Sequence, residues 1–133
     1  MNTSALKDVK LSPTASMRGL QAVINILSKW ECSPSQQCHI LGMKKSTFYS
    51  HKQSTSGVSL TIDQLERVSY ILNIHAALRV VFDNPENVYG FMSMNNSNPY
   101  FNGKAPLDII STGNFGALYE TFKRIDSLRG SGF

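Results

Sequence analysis

Apolar residues recur at steps of three and four along most of this chain, and strict apolar–polar alternation persists nowhere. The pattern predicts an all-α protein without internal repeats. A first helix opens at Ser12-Pro13 or Thr14 and carries Met17, Leu20, Val23, Ile24, Leu27 and Trp30 on one stripe, stopping near Glu31-Cys32. Ser33-Pro34 then joins a hydroxyl able to cap with a proline suited to the first helical position. The helix it opens, residues 35–41, is short and ends at Gly42.

Met43 and a polar, lysine-bearing segment at 44–52 follow, which makes a helix–turn–helix pattern. Cys38 is the small residue that allows close approach of the two helices, and Gly42 suits a positive-φ turn. Ile40, Leu41, Met43 and Phe48 supply the packing between them. The second helix is expected to present Lys44, Lys45, Ser46, Thr47, Tyr49, Ser50, Lys52 and Gln53 outward. Lysines and hydroxyls serve phosphates and base edges, and Tyr49 is able to stack or meet a thymine methyl.

Thr61 caps the next helix, with Asp63 and Gln64 in its first turn and Ile62, Leu65, Val68, Ile71 and Leu72 on its expected buried stripe. The pattern admits a break near Asn73, after which Ala77, Leu78, Val81 and Phe82 face inward. A turn at 83–86 leads to a short helix at 86–92, then a loop at 93–99 rich in turn formers. An aromatic, exposed-looking turn (Tyr100, Phe101) precedes Pro106, which opens a short apolar helix stopped at Thr112-Gly113. Asn114 caps a last amphipathic helix bearing Phe115, Leu118, Tyr119, Phe122 and Ile125, with Tyr119 and Phe122 assigned to the core and Gly130 to the helix stop.

Charge sharpens this picture. The net +4 is unevenly placed: residues 1–60 carry seven Lys/Arg against Asp8 and Glu31, a balance of +5. Residues 61–133 carry six against seven acidic residues, a balance of −1. A basic front half implies a polyanionic partner for that half alone.

Candidate chemistry is sparse. Cys32 and Cys38 are the two cysteines and form no CxxC pair, which fits reduced thiols. His39, His51 and His75 have no carboxylate or Cys at ligand spacing, so neither a metal nor a cofactor is expected. Cys38 and His39 are adjacent on a helix and point in different directions, which argues against a nucleophile pair. The stretch 1–12 reads as a flexible N-terminus lacking the apolar core of a secretory signal, and no run approaches a membrane span of about 18 residues. The expectation is a cytoplasmic protein without enzymatic activity.

The segment Asn98-Pro99-Tyr100-Phe101-Asn102-Gly103-Lys104-Ala105-Pro106-Leu107-Asp108-Ile109-Ile110-Ser111-Thr112-Gly113, with the final helix, resembles the C-terminal toxin-binding domain of the Xre/MbcA/ParS antitoxin family. That family shows an aromatic, Gly-rich turn, a Pro-Leu-acidic-aliphatic helix, a Thr-Gly stop, a final amphipathic helix and a late glycine. All five appear here in order. The upstream segment resembles the family's DNA-binding half. Ser111 departs from the larger or charged residue of many members, and the tail past Gly130 is short.

The resemblance implies a type II antitoxin that blocks the active site of a RES-type, NAD-degrading toxin with an ADP-ribosyltransferase-like fold. It also implies autorepression through operator DNA. The division it suggests is 1–12 as a flexible N-terminus, 13–82 for DNA binding and dimerisation, and 83–133 for the toxin. Matching positions are Gly103, Pro106, Leu107, Asp108, Gly113 and Gly130, with the tail Ser131, Gly132 and Phe133 and the neighbouring Arg129 expected at the toxin's pocket. Two rivals stand beside it: a stand-alone dimeric helix–turn–helix regulator, and an enzyme using Cys38 or Cys32.

Overall fold

The structure, a computed structural model, describes residues 11–130. Among these residues there are helices and turns but no strand, as the periodicity predicts. The expected flexible N-terminus falls almost wholly, and the tail Ser131, Gly132 and Phe133 entirely, outside the described residues.

Helix α1 spans Pro13–Lys29, with the Ser12 hydroxyl accepting from the Ala15 N–H at 3.1 Å and proline at the first position. It buries Leu20, Val23, Ile24, Ile26 and Leu27. Its end is a 6→1 and 5→2 pair of hydrogen bonds: the Cys32 N–H donates to Leu27 O and the Glu31 N–H to Ser28 O, each at 3.0 Å. Glu31 takes the left-handed position, φ 66°, that glycine usually fills, and the chain turns so that Trp30 is fully buried.

Helix α2, Pro34–Leu41, opens with a reciprocal capping box between Ser33 and Gln36. It ends by the same closing motif as α1, now with Gly42 at φ 64°. Helix α3 spans Lys45–Gln53 and buries one side chain, Phe48.

Helix α4, Ile62–Val81, is the column against which most other elements pack. A second capping box, Thr61 with Gln64, sets its rotation. Its inward stripe is Arg67, Val68, Ile71, Ile74, Ala77 and Leu78. One expectation is corrected here, and one open point is decided. Ile62 is 60% exposed, because the first residue after the cap lies outside that stripe. No break occurs at Asn73, which sits exposed in a helix interior free of glycine and proline.

Helix α5, Pro85–Gly90, is capped by Asn84 and runs into a 3₁₀ turn, Phe91–Ser93. Helix α6 spans Pro106–Ile110 and α7 spans Phe115–Ser127, followed by a 3₁₀ turn Leu128–Gly130. Gly130 therefore closes a tighter turn rather than the α-helix itself.

Helix α7 runs parallel to α4. Tyr70 meets the rings of Phe115, Tyr119 and Phe122 with centroids 5.5–5.8 Å apart, while Phe82 shares a cavity with Ile125 and Leu128. Leu118 and Ile125 are each 1% exposed. Tyr119, assigned above to the core, is 38% exposed at the outer edge of this aromatic group, and Phe122 is half-buried. One core joins α1 to α7, so residues 83–130 pack onto the front unit.

Candidate nucleic-acid and partner-binding surfaces

The turn between α2 and α3 places α3 on the outside of the molecule. Phe48, 0% exposed, anchors it against Ile40, Leu41 and Met43, all buried. The opposite side carries the expected set: Lys44, Lys45, Ser46, Tyr49, Ser50, Lys52 and Gln53 are exposed and Thr47 is half-buried. Tyr49 stands edge-on to Phe48 at 5.4 Å, and the Lys52 ammonium lies 5.8 Å from the Phe48 ring. No described carboxylate pairs with Lys44, Lys45 or Lys52. An unpaired lysine face on a short, anchored helix is free to meet phosphates, while its hydroxyls and Tyr49 are free to meet base edges. Tyr49 and Lys45 also border a cavity of about 450 Å³ that reaches Cys38 and Pro34 on α2.

The C-terminal stretch is built in the opposite way. In the loop before α6, the Asn96 N–H donates to Lys104 O at 3.1 Å and the Gly103 N–H to Asn96 O at 2.9 Å, drawing its two limbs together. Side-chain oxygens of Asn96 and Asn98 accept from the N–H groups two residues on, at 2.8 and 2.9 Å. The aromatic turn is only half exposed: Phe101, 2% exposed, plugs into the interior, while the Arg124 guanidinium lies 5.4 Å from the Tyr100 ring.

Of the residues expected at a toxin, Pro106 and Leu107 are buried and Gly113 is half-buried. Gly103, Asp108, Arg129 and Gly130 are exposed, with Arg129 donating to Asp126 at 3.1 Å. Gly113 has φ 80°, and a Cβ there would stand 2.9 Å from the carbonyl oxygen of His39. The Thr-Gly stop thus lies directly on α2.

Arg67 joins the two regions, a role that nothing in the periodicity marks. Its Nη1 donates to Ile40 O at 3.2 Å and Gly113 O at 2.9 Å, and its Nε to Asp63 at 2.9 Å. The guanidinium also lies 5.7 Å from the Phe115 ring. The i,i+4 spacing of Asp63 and Arg67 was its one signal in the sequence. Gln36 adds a second tie, donating to the Ser111 hydroxyl at 3.3 Å. The turn of the helix–turn–helix and the turn before α7 are therefore held by the same side chains.

Both thiols are free, and burial raises both pKa values: Cys32 is pushed up to about 12, and Cys38 is raised by burial against an opposing pull from Lys45. Such thiols stay protonated near neutrality and make poor nucleophiles. Among the described residues, no three of His, Cys, Asp and Glu stand together as a metal-ligand set, and no helix is long and apolar enough to cross a membrane.

An all-helical chain with an anchored, lysine-faced second helix defines a helix–turn–helix DNA-binding regulator. The family model of the antitoxin Xre-like helix-turn-helix domain matches residues 12–73, the span from the cap of α1 to the middle of α4. The uncharacterized protein y4oB of Sinorhizobium fredii (strain NBRC 101917 / NGR234) is 32% identical over 112 residues, which cover 84% of either chain. The chain belongs to the Xre-type antitoxin family.

Proposed function

We propose that this chain is the antitoxin of a type II toxin–antitoxin pair, acting as a cytoplasmic, non-catalytic homodimer without a cofactor. The α3 face of each protomer takes one operator half-site and represses the operon, since paired half-sites strengthen a small module. Residues 83–133 bind a RES-type, NAD-degrading toxin and block its active site. The observation that carries the DNA half is the unpaired lysine and hydroxyl face of α3 within the matched span 12–73. The toxin half rests on the resemblance of residues 98–113 and on their placement. Pro106, Leu107 and Gly113 act as supports, while Gly103, Asp108, Arg129, Gly130 and the tail Ser131, Gly132 and Phe133 supply the contact.

Co-expression with a RES-type enzyme tests this reading. Growth should be restored, the two proteins should co-purify, and removing residues 130–133 should abolish protection. Intact protection by the shortened chain would take the tail out of the toxin's pocket. The family model covers residues 12–73, the DNA-binding unit, and a second reading rests on that unit alone: a stand-alone dimeric regulator without a toxin. DNA binding with no capture of any RES-type enzyme would decide for it.

A further inference from the structure

The C-terminal ends of α1 and α4 meet α5 in a second cationic site, far from α3. Lys29 closes α1, His75 and Arg79 lie one turn apart on α4, and Tyr89 projects from α5. The His75 ring stacks on Tyr89 with centroids 5.3 Å apart and planes 25° from parallel, and the Lys29 ammonium lies 4.8 Å from the Tyr89 centroid. Arg79 and Tyr89 line a cleft of about 390 Å³, together with Phe82, Asp83, Asn84, Pro85 and Val88.

Lys29 and His75 thus meet the Tyr89 ring, and Arg79 lines the cleft that the same ring borders. Neither Lys29 nor Arg79 forms an ion pair with a described residue, Asp83 included. His75 Nδ1 is buried and lacks a hydrogen-bond partner among the described residues. Burial first, then Arg79 and Lys29, hold its pKa below the ordinary value.

The α3 face is not part of this site. The helix–turn–helix is tied to the other ends of these helices: the Val58 N–H donates to Pro13 O at 3.0 Å, and Gln64 Nε2 donates to Gly42 O at 3.3 Å. A helix the length of α4 spans about 30 Å. Helix α3 lies at one end and the cleft at the other.

We propose that this cleft binds a small organic anion, its carboxylate or phosphate head held by Arg79 in the cleft and by Lys29 reaching past the Tyr89 ring, and its apolar body set against Phe82, Pro85 and Val88. The cleft volume falls in the range of small-ligand sites, about 300–1,000 Å³, and its mainly polar lining, Arg79 with Asn84 and Tyr89, is joined by an apolar strip of Phe82, Pro85 and Val88. A bound oxyanion offsets the repulsion among Lys29, Arg79 and a protonated His75. The site is independent of the antitoxin reading.

Phenyl phosphate, titrated into the full chain and followed by NMR, is the test. The ring resonances of His75 and Tyr89 should shift saturably, and the titration midpoint of His75 should rise when the anion is bound. Arg79→Gln and Lys29→Gln should each weaken binding about tenfold, the loss of one charge-assisted contact, with the thermal midpoint of the protein unchanged. Absence of saturation, or equal affinity in both variants, overturns the site. Orthophosphate binding as tightly as phenyl phosphate overturns the apolar subsite. Displacement by a blocked Glu-Leu dipeptide assigns the anion to an acidic, apolar segment of a protein, and failure to displace assigns it to a free small molecule.

Discussion

Helices α3 and α6 are both short, and they are used in opposite ways. Helix α3 has nine residues and buries only Phe48. Helix α6 has five and buries Pro106, Leu107 and Ile110. One is an outer surface pinned by a single ring, so its polar side chains stay free for a ligand. The other is a wedge whose apolar side chains pack inward and leave Asp108 as its exposed charge, so most of its effect on a partner passes through what it positions. Here that is Gly113 and the start of α7. A motif resemblance marks both segments, yet the structure separates an exposed surface from its support.

The difference can be broken at several points. The largest effect should come from the back of the molecule: Leu118→Ala, on α7, should lower stability by about 2–5 kcal/mol in a urea titration. A midpoint within error of the parent would remove α7 from the core and dissolve the comparison. Next is Arg67→Ala, which strands the carbonyls of Ile40 and Gly113. A loss of about 2–4 kcal/mol is expected, with Arg67→Lys failing to restore it because one ammonium cannot reproduce the guanidinium's fork. Full rescue by lysine would mean that charge, and not the two-carbonyl bridge, joins the regions.

Two glycines with nearly equal φ sharpen the support role. Gly113→Ala should cost more than Gly103→Ala, about 2–4 against about 1–2 kcal/mol. Both need the left-handed region, φ 80° and 81°, but only Gly113 faces a backbone oxygen at 2.9 Å, while a Cβ at Gly103 meets open space. Equal losses would show that the contact with α2 has no energetic weight.

The smallest effect is on pH. The pKa of His75 is lowered in the folded chain, so the unfolded chain takes up the proton first as pH falls. Stability should be constant above the ordinary value of 6.5, decline as pH drops through it, and level off below the folded pKa. His75→Gln should flatten that decline. An unchanged profile would place the acid sensitivity elsewhere.

Much of the fold was legible in the sequence because its signals are local. Ser33-Pro34, Thr61 with Gln64, Asn114 and Gly42 each act within one turn of a helix, and each does in the structure what the residue type predicts. The lysine face of α3 was legible for the same reason, since Phe48 alone faces inward. Long-range placement was not. Ile62 and Tyr119 sit at apolar steps but on the outer edges of their helices, and periodicity does not tell the edge of a stripe from its centre. Phe101 looked exposed in a polar loop, yet the asparagine turns around it aim the ring inward. Arg67 was the hardest case. A single arginine on a helix is usually solvated, and its two carbonyl partners lie 27 and 46 residues away. The cationic cleft was hidden likewise, because Arg79 and Tyr89, which line it, and Lys29 beside Tyr89 come from three helices.

The central claim is that α3 reads DNA through its unpaired lysines while the rest of the chain holds it in place. Operator affinity measured across a range of salt, for the parent and for Lys44→Ala with Lys45→Ala, tests it most directly. Two lost phosphate contacts should lower the slope of log affinity against log salt by about 2 and weaken binding at low salt, with stability and partner capture preserved. An unchanged slope in a folded double variant would contradict the placement of α3 on DNA.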